Sequence, residues 1–105
     1  MLRWLLAPGS RFVVSLEGAG FDLQLPGFPQ PSWGFLGTRF MKARSAELAA
    51  SEALSLAAAE LELLGQSTAR PPRRVWVTEV RQVRRFGWST WGPGGGFTWW
   101  CEDDR

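Results

Sequence analysis

Histidine and tyrosine do not occur in this chain; cysteine occurs once, at Cys101, and lysine once, at Lys42. Without histidine, and with a single thiol, the two commonest transition-metal ligand types cannot form a cluster, and a histidine general base is excluded. A lone cysteine makes no internal disulfide, and its sequence neighbours Trp100 and Glu102-Asp103-Asp104 include no cation that would activate the thiol. The opening apolar stretch stops at Pro8, short of the roughly 7 to 15 residues of a secretory core, and no run approaches the ~20 apolar residues of a membrane span. These absences predict a cytoplasmic protein that is not an enzyme, with no metal, no cofactor, no small-molecule substrate and no membrane contact.

The composition is that of a folding chain: 105 residues, 45% hydrophobic and 21% charged. That length predicts a single domain over residues 1–105, with 1–10 and 102–105 as peripheral ends. Twelve basic residues face ten acidic ones, so the net charge of +2 by itself predicts no nucleic-acid partner. The distribution is more informative. Residues 70–85 carry six arginines (Arg70, Arg73, Arg74, Arg81, Arg84 and Arg85) against Glu79 alone, whereas 45–69 carries four glutamates and no base. The preference for arginine over lysine fits either a GC-rich genome or a need for bidentate chemistry.

Along the chain, Phe12, Val14 and Leu16 alternate with Arg11, Ser15 and Glu17, the period of a half-buried strand. Gly18-Ala19-Gly20 tolerates positive φ, and Phe21, Leu23 and Leu25 alternate again, which predicts a hairpin. The prolines of 26–32 make a loop, and Trp33 to Ala43 reads as a third strand, with Phe35, Gly37, Arg39 and Met41 opposite Leu36, Thr38, Phe40 and Lys42. Ser45 caps a helix with Glu47 in its first turn and Gly65 as its stop. Its apolar stripe reads Ala46, Ala50, Ala53, Leu54, Ala57, Leu61 and Leu64. A second stripe of Ala49, Leu56, Ala59 and Leu63, interrupted by Glu52 and Glu60, is covered either by a curling sheet or by a helix of a second copy. Val75 to Val83 is β-branched and strand-like, with Trp76, Thr78 and Val80 on one face and Val75, Val77, Glu79 and Arg81 on the other; 97–101 is a short closing strand. The expected fold is α+β, a mainly antiparallel sheet of four to five strands in the order βββαββ with one long helix packed on one face.

Few features suggest chemistry. Gly92-Pro93-Gly94-Gly95-Gly96 lacks the lysine and hydroxyl that follow a phosphate-binding loop, and reads as a hinge or hairpin loop. The terminal acids read as a solvated end. Trp88-Ser89-Thr90-Trp91-Gly92 looks like the tryptophan signature of thrombospondin type 1 repeats, but those rest on three disulfides and this chain has one cysteine.

The aromatic load stands out: seven Trp and seven Phe, with Trp88, Trp91, Trp99 and Trp100 close together in sequence. Trp99 and Trp100 are adjacent, so on a strand one of them leaves the helix-packed core. Tryptophan beside arginine is a common composition of interaction hot spots. The expected contact residues are Trp76, Arg81, Arg84, Arg85, Phe86, Trp88, Trp91 and Trp100, an exposed Trp/Phe/Arg surface, and the sheet face left uncovered by the helix is the place to look for it. They point to a protein partner, either a second copy in a homodimer or a toxin or effector. Single-stranded RNA is the alternative, with Arg73, Arg74, Arg81, Arg84 and Arg85 on phosphates and Trp76, Phe86, Trp88 or Trp91 stacking on bases.

Two resemblances bear on this. Trp33-Gly34-Phe35-Leu36-Gly37-Thr38-Arg39-Phe40-Met41-Lys42-Ala43 before an alanine and glutamate helix, then Gly96-Phe97-Thr98-Trp99-Trp100, resembles a group of small uncharacterised bacterial proteins, which implies no activity or site. Phe21-Asp22-Leu23-Gln24-Leu25-Pro26-Gly27-Phe28 before an alanine-rich helix is similar to the HicB-type antitoxins, which implies a partial ribonuclease-H-like fold that binds and blocks a toxin. In this chain an extra strand separates Gly27 from Ser45.

Overall fold

The computed structural model describes residues 9–23, 32–84 and 92–101. They form strands β1 (Ser10–Phe21) and β2 (Trp33–Ala43), helix α1 (Ala46–Leu63), then strands β3 (Arg74–Val83) and β4 (Thr98–Cys101). The four strands make one antiparallel sheet in the order β3-β1-β2-β4, with α1 packed against β1, β2 and β3. The α+β class and the single helix follow the sequence reading; the order is ββαββ.

The difference lies at Gly18-Ala19-Gly20. No hairpin forms there, because β1 runs on through these residues and finds partners on both sides, β2 and β3, instead of folding back on itself. The glycines serve a bulge. Between Gly18 and Phe21 the pairing with β2 shifts by one residue, and Gly20 takes φ +83° with its α-carbon so close to the next segment that a Cβ would sit 2.3 Å from the Pro72 carbonyl oxygen. At Gly18 the missing side chain makes room for the Phe35 ring, which a Cβ would meet at 2.1 Å. Leu25 lies outside the described residues.

The helix boundaries follow local chemistry. Ser45 is the N-cap, its hydroxyl oxygen accepting from the Leu48 N–H at 3.2 Å, worth about 1 kcal/mol. At the other end Gly65 takes φ +74°, its N–H donates to the Glu62 carbonyl and the Gln66 N–H to the Leu61 carbonyl, so the terminal carbonyls are satisfied. The buried stripe is Ala49, Ala53, Ala57 and Leu61, four residues apart. This corrects the expected face: Ala49 is core, Ala46 and Leu64 are exposed, and Leu56 and Leu63 are left uncovered by the sheet.

Against that alanine face lie Phe12, Val14 and Leu16 of β1 and Trp33, Phe35, Met41 and Ala43 of β2. Full burial of Val14, Leu16 and Leu61 contributes about 1.5 to 3 kcal/mol each. One end of this core is an aromatic cluster in which Phe35 meets Phe21, Phe97 and Trp99 at centroid distances of 5.4, 4.4 and 5.3 Å. On β3 the face assignment changes. Opposite Ser15 and Leu16 the register slips at Thr78, so Val80 joins Val75 and Val77 on the helix side, and Trp76, Glu79 and Arg81 share the other. Among the described residues no helix is long and apolar enough to cross a membrane.

Candidate functional site

Strand register defines the face of the sheet that α1 does not cover. Arg11, Val13, Ser15 and Glu17 of β1 stand beside Lys42, Phe40, Thr38 and Leu36 of β2 on one side, and beside Val83, Arg81, Glu79 and Trp76 of β3 on the other. β4 adds Thr98 and Trp100 at the far edge. Leu36 is 51% exposed on this surface, and Phe40 and Val13, paired with each other four residues farther along the strands beyond Thr38 and Ser15, are half-buried. Leu36 itself lies between Glu17 of β1 and Thr98 of β4; the cations of this face stand farther off, Arg11 and Lys42 at one end, Arg81 along β3, and Arg74 at the other end, where its guanidinium lies 5.4 Å from the Trp76 ring centroid.

Of the expected contact residues, the structure brings Trp76, Arg81 and Trp100 onto this one face. Trp76 and Trp100 occupy its two edge strands, three strand spacings or about 14 Å apart. Both are half-buried, and Trp100 lies against Gly34, where a Cβ would come within 2.9 Å of its ring. Arg84 follows β3 and is exposed, its carbonyl accepting from Arg11 Nη1 at 2.7 Å. Arg85, Phe86, Trp88 and Trp91 lie outside the described residues.

The indole prediction needs correction in one respect. Trp99 faces the helix and Trp100 the open side, as adjacency requires, yet none of the four described tryptophans is exposed: Trp33 is buried, and Trp76, Trp99 and Trp100 are half-buried. Among the described residues the large apolar side chains in solvent are leucines: Leu36, Leu48, Leu56, Leu63 and Leu64. Sequence reasoning passed over Leu36, Phe40 and Val13 on this face; the alternation of β1 and β2 placed them opposite the core, and that signal was available.

Arg73 is also reassigned. Its Nη2 donates to Asp22 Oδ1 at 2.6 Å, and its Nη1 reaches the Gly65 and Ser67 carbonyls, so it clasps the end of β1 to the loop after α1. The hydrogen bond from Arg73 and its charge hold the Asp22 carboxyl below the usual carboxylate range.

The glycine-rich segment is docked on the protein, not left as a hinge. The Pro93 carbonyl accepts from the Phe40 N–H at 2.7 Å, and Glu60 of α1 accepts from the Gly96 N–H at 3.2 Å while pairing with Arg39. Arg39, on the helix side of β2, is fully buried; its Nη1 also donates to the Thr38 and Gly96 carbonyls, and its guanidinium lies 5.1 Å from the Phe97 ring centroid. Between this segment and β2 runs a groove of about 480 Å³ beside Leu36, Thr38, Phe40 and Thr98. None of its lining residues is titratable, so it offers shape and apolar contact rather than acid–base chemistry. Among the described residues no three His, Cys, Asp or Glu side chains are grouped to hold a metal ion.

No protein-family model, no curated protein and no solved structure matches the chain.

Proposed function

We propose that the chain is a noncatalytic binding module that recognises a protein partner through the helix-free face of its sheet. The observation that carries this reading is the half-exposed Leu36, which lines one groove with Phe40 on a face that also carries Arg11, Arg74 and Arg81. Exposed apolar surface with arginines on the same face is a common composition of protein interfaces. Single-stranded nucleic acid is the second reading. It is favoured by the Arg74–Trp76 stack and by four cations against two carboxylates on the face: Arg11, Lys42, Arg74 and Arg81 against Glu17 and Glu79. The loss of Arg73 to its clasp with Asp22 weakens that alternative.

A photo-crosslinking residue placed at position 36 or 81 in living cells should yield discrete protein adducts, and one at Ala69, exposed in the loop after the helix, should not. Nuclease-sensitive adducts would favour the nucleic-acid reading. No adduct at either face position removes the interface.

A further inference from the structure

The binding face has no partner assigned, and a second surface of the same molecule is also incomplete. On α1, Leu48, Leu56 and Leu63 are 48%, 36% and 88% exposed. At 100° per residue they share an arc of about 120° with Glu52 and Glu62, which borders the buried stripe at Leu56, next to Ala49, and turns away from Ala53, Ala57 and Leu61. No cation lies anywhere from Ser45 to Ala69. The outer face of the helix is therefore apolar and acidic, where the open face of the sheet is apolar with two surplus positive charges. A sheet with helices on both sides is a stable layer arrangement, and the described residues supply one of the two helical layers.

We infer that the occupant of the sheet face is the outer face of α1 from a second copy of this chain. The inference rests on the binding-face reading and adds the partner. Leu56 and Leu63 of one copy meet Leu36 and the groove beside it in the next, with Glu52 and Glu62 among Arg11, Arg74 and Arg81. The two surfaces differ, so the contact is head-to-tail: each copy that joins leaves one sheet face and one helix face open, and growth continues past the dimer unless a ring closes. The footprint is that of one 18-residue helix, about 27 Å long and about 10 Å wide, a few hundred Å² per partner. That is below the roughly 800 Å² per partner of a standard interface, so association is weak, concentration-dependent and sensitive to salt.

The test uses two charge-reversed variants of the whole chain, Glu52→Arg with Glu62→Arg, and Arg74→Glu with Arg81→Glu; all four positions are exposed, so the fold should hold, as circular dichroism can verify. Sedimentation of the wild type should give an average mass that rises past the dimer as concentration approaches about 1 mM. That mass should fall as salt goes from about 0.05 M to about 0.5 M, where screening shortens from above about 10 Å to under about 5 Å. Each variant alone should stay monomeric, since its two faces then carry like charge. Mixed in equal amounts they should associate again, because each reversed face meets its complement. If only the arginine variant loses association, the sheet face binds something other than the helix; the inference then fails while the binding-face reading stands. A wild type that stays monomeric throughout, or a mixture that does not recover, also overturns it, and crosslinks from position 36 to a different protein would show the binding-face reading surviving that failure.

Discussion

Removing the Glu60 carboxylate tests how the buried arginine is held. Arg39 has no exposed side-chain surface, whereas Glu60 keeps 34% of its own. Arg39 Nη1 satisfies two carbonyls and Nη2 reaches Glu60, but Nε has no hydrogen-bond partner among the described residues. Glu60→Ala therefore leaves a full positive charge buried with its counter-ion gone. Breaking a buried pair this way costs about 3 to 5 kcal/mol, and the partial exposure of the glutamate, which admits water, places this case near about 3. The opposite variant, Arg39→Met, removes the buried charge, fills most of the volume and leaves a glutamate that can turn to solvent. Its cost should be nearer about 1 kcal/mol, for the carbonyls of Thr38 and Gly96 that lose a donor. Urea unfolding followed by tryptophan fluorescence should show this asymmetry, with a melting temperature lowered by about 12 to 20 °C in Glu60→Ala. The double variant should lie within about 0.5 kcal/mol of Arg39→Met, since the glutamate has nothing left to neutralise. If Glu60→Ala is no worse than Arg39→Met, the buried charge is not what the pair compensates, and the reasoning fails.

Two further outcomes follow from local geometry. Gly20→Ala should destabilise by more than about 2 kcal/mol, because it combines a positive φ with a clash against the Pro72 backbone, whereas Gly65→Ala, with the same hand of φ and no atom within 4 Å, should cost only about 1; equal losses in thermal unfolding would contradict the clash. Asp22 titrates lower in the folded chain than in the unfolded one, so its ion pair with Arg73 stabilises at pH values above the unfolded carboxylate pKa of about 3.9, and that contribution disappears as pH falls through the lower folded value. Asp22→Asn should be less stable than wild type by about 0.5 kcal/mol at pH 7, a small amount because the carboxylate is 55% exposed, and the gap should close in acid. A gap that widens in acid would reverse the sign of this linkage.

Much of the architecture was legible in residue order. The alternation of Phe12, Val14 and Leu16, the cap at Ser45 and the stop at Gly65 each depend on neighbours within four or five positions, and each was found where expected. The face without the helix followed from setting one helix against an expected sheet of four to five strands. What failed did so for nonlocal reasons. Glycines that permit a turn permit a bulge equally well, and only the presence of β2 and β3 on both sides of β1 selects between them. The slip at Thr78 that turns Val80 toward the helix is imposed by pairing with Ser15 and Leu16, more than sixty residues earlier. Arg39 sits at an inward position of a strand read correctly, but its burial depends on a glutamate one helix away. The expected contact residues divide in the same manner: Trp76, Arg81 and Trp100 reach the face without the helix, but the exposed large apolar side chain described there is Leu36.

By itself, then, the order of amino acids determined the element types, the two ends of the helix and the alternating faces of the regular part of β1 and of β2, because periodicity and capping act over a few residues. The tertiary structure decided which face the helix covers, where register slips, which arginine becomes a buried partner and which stay exposed. Those outcomes depend on contacts between segments far apart in the chain, where close packing leaves room for one side chain and excludes another.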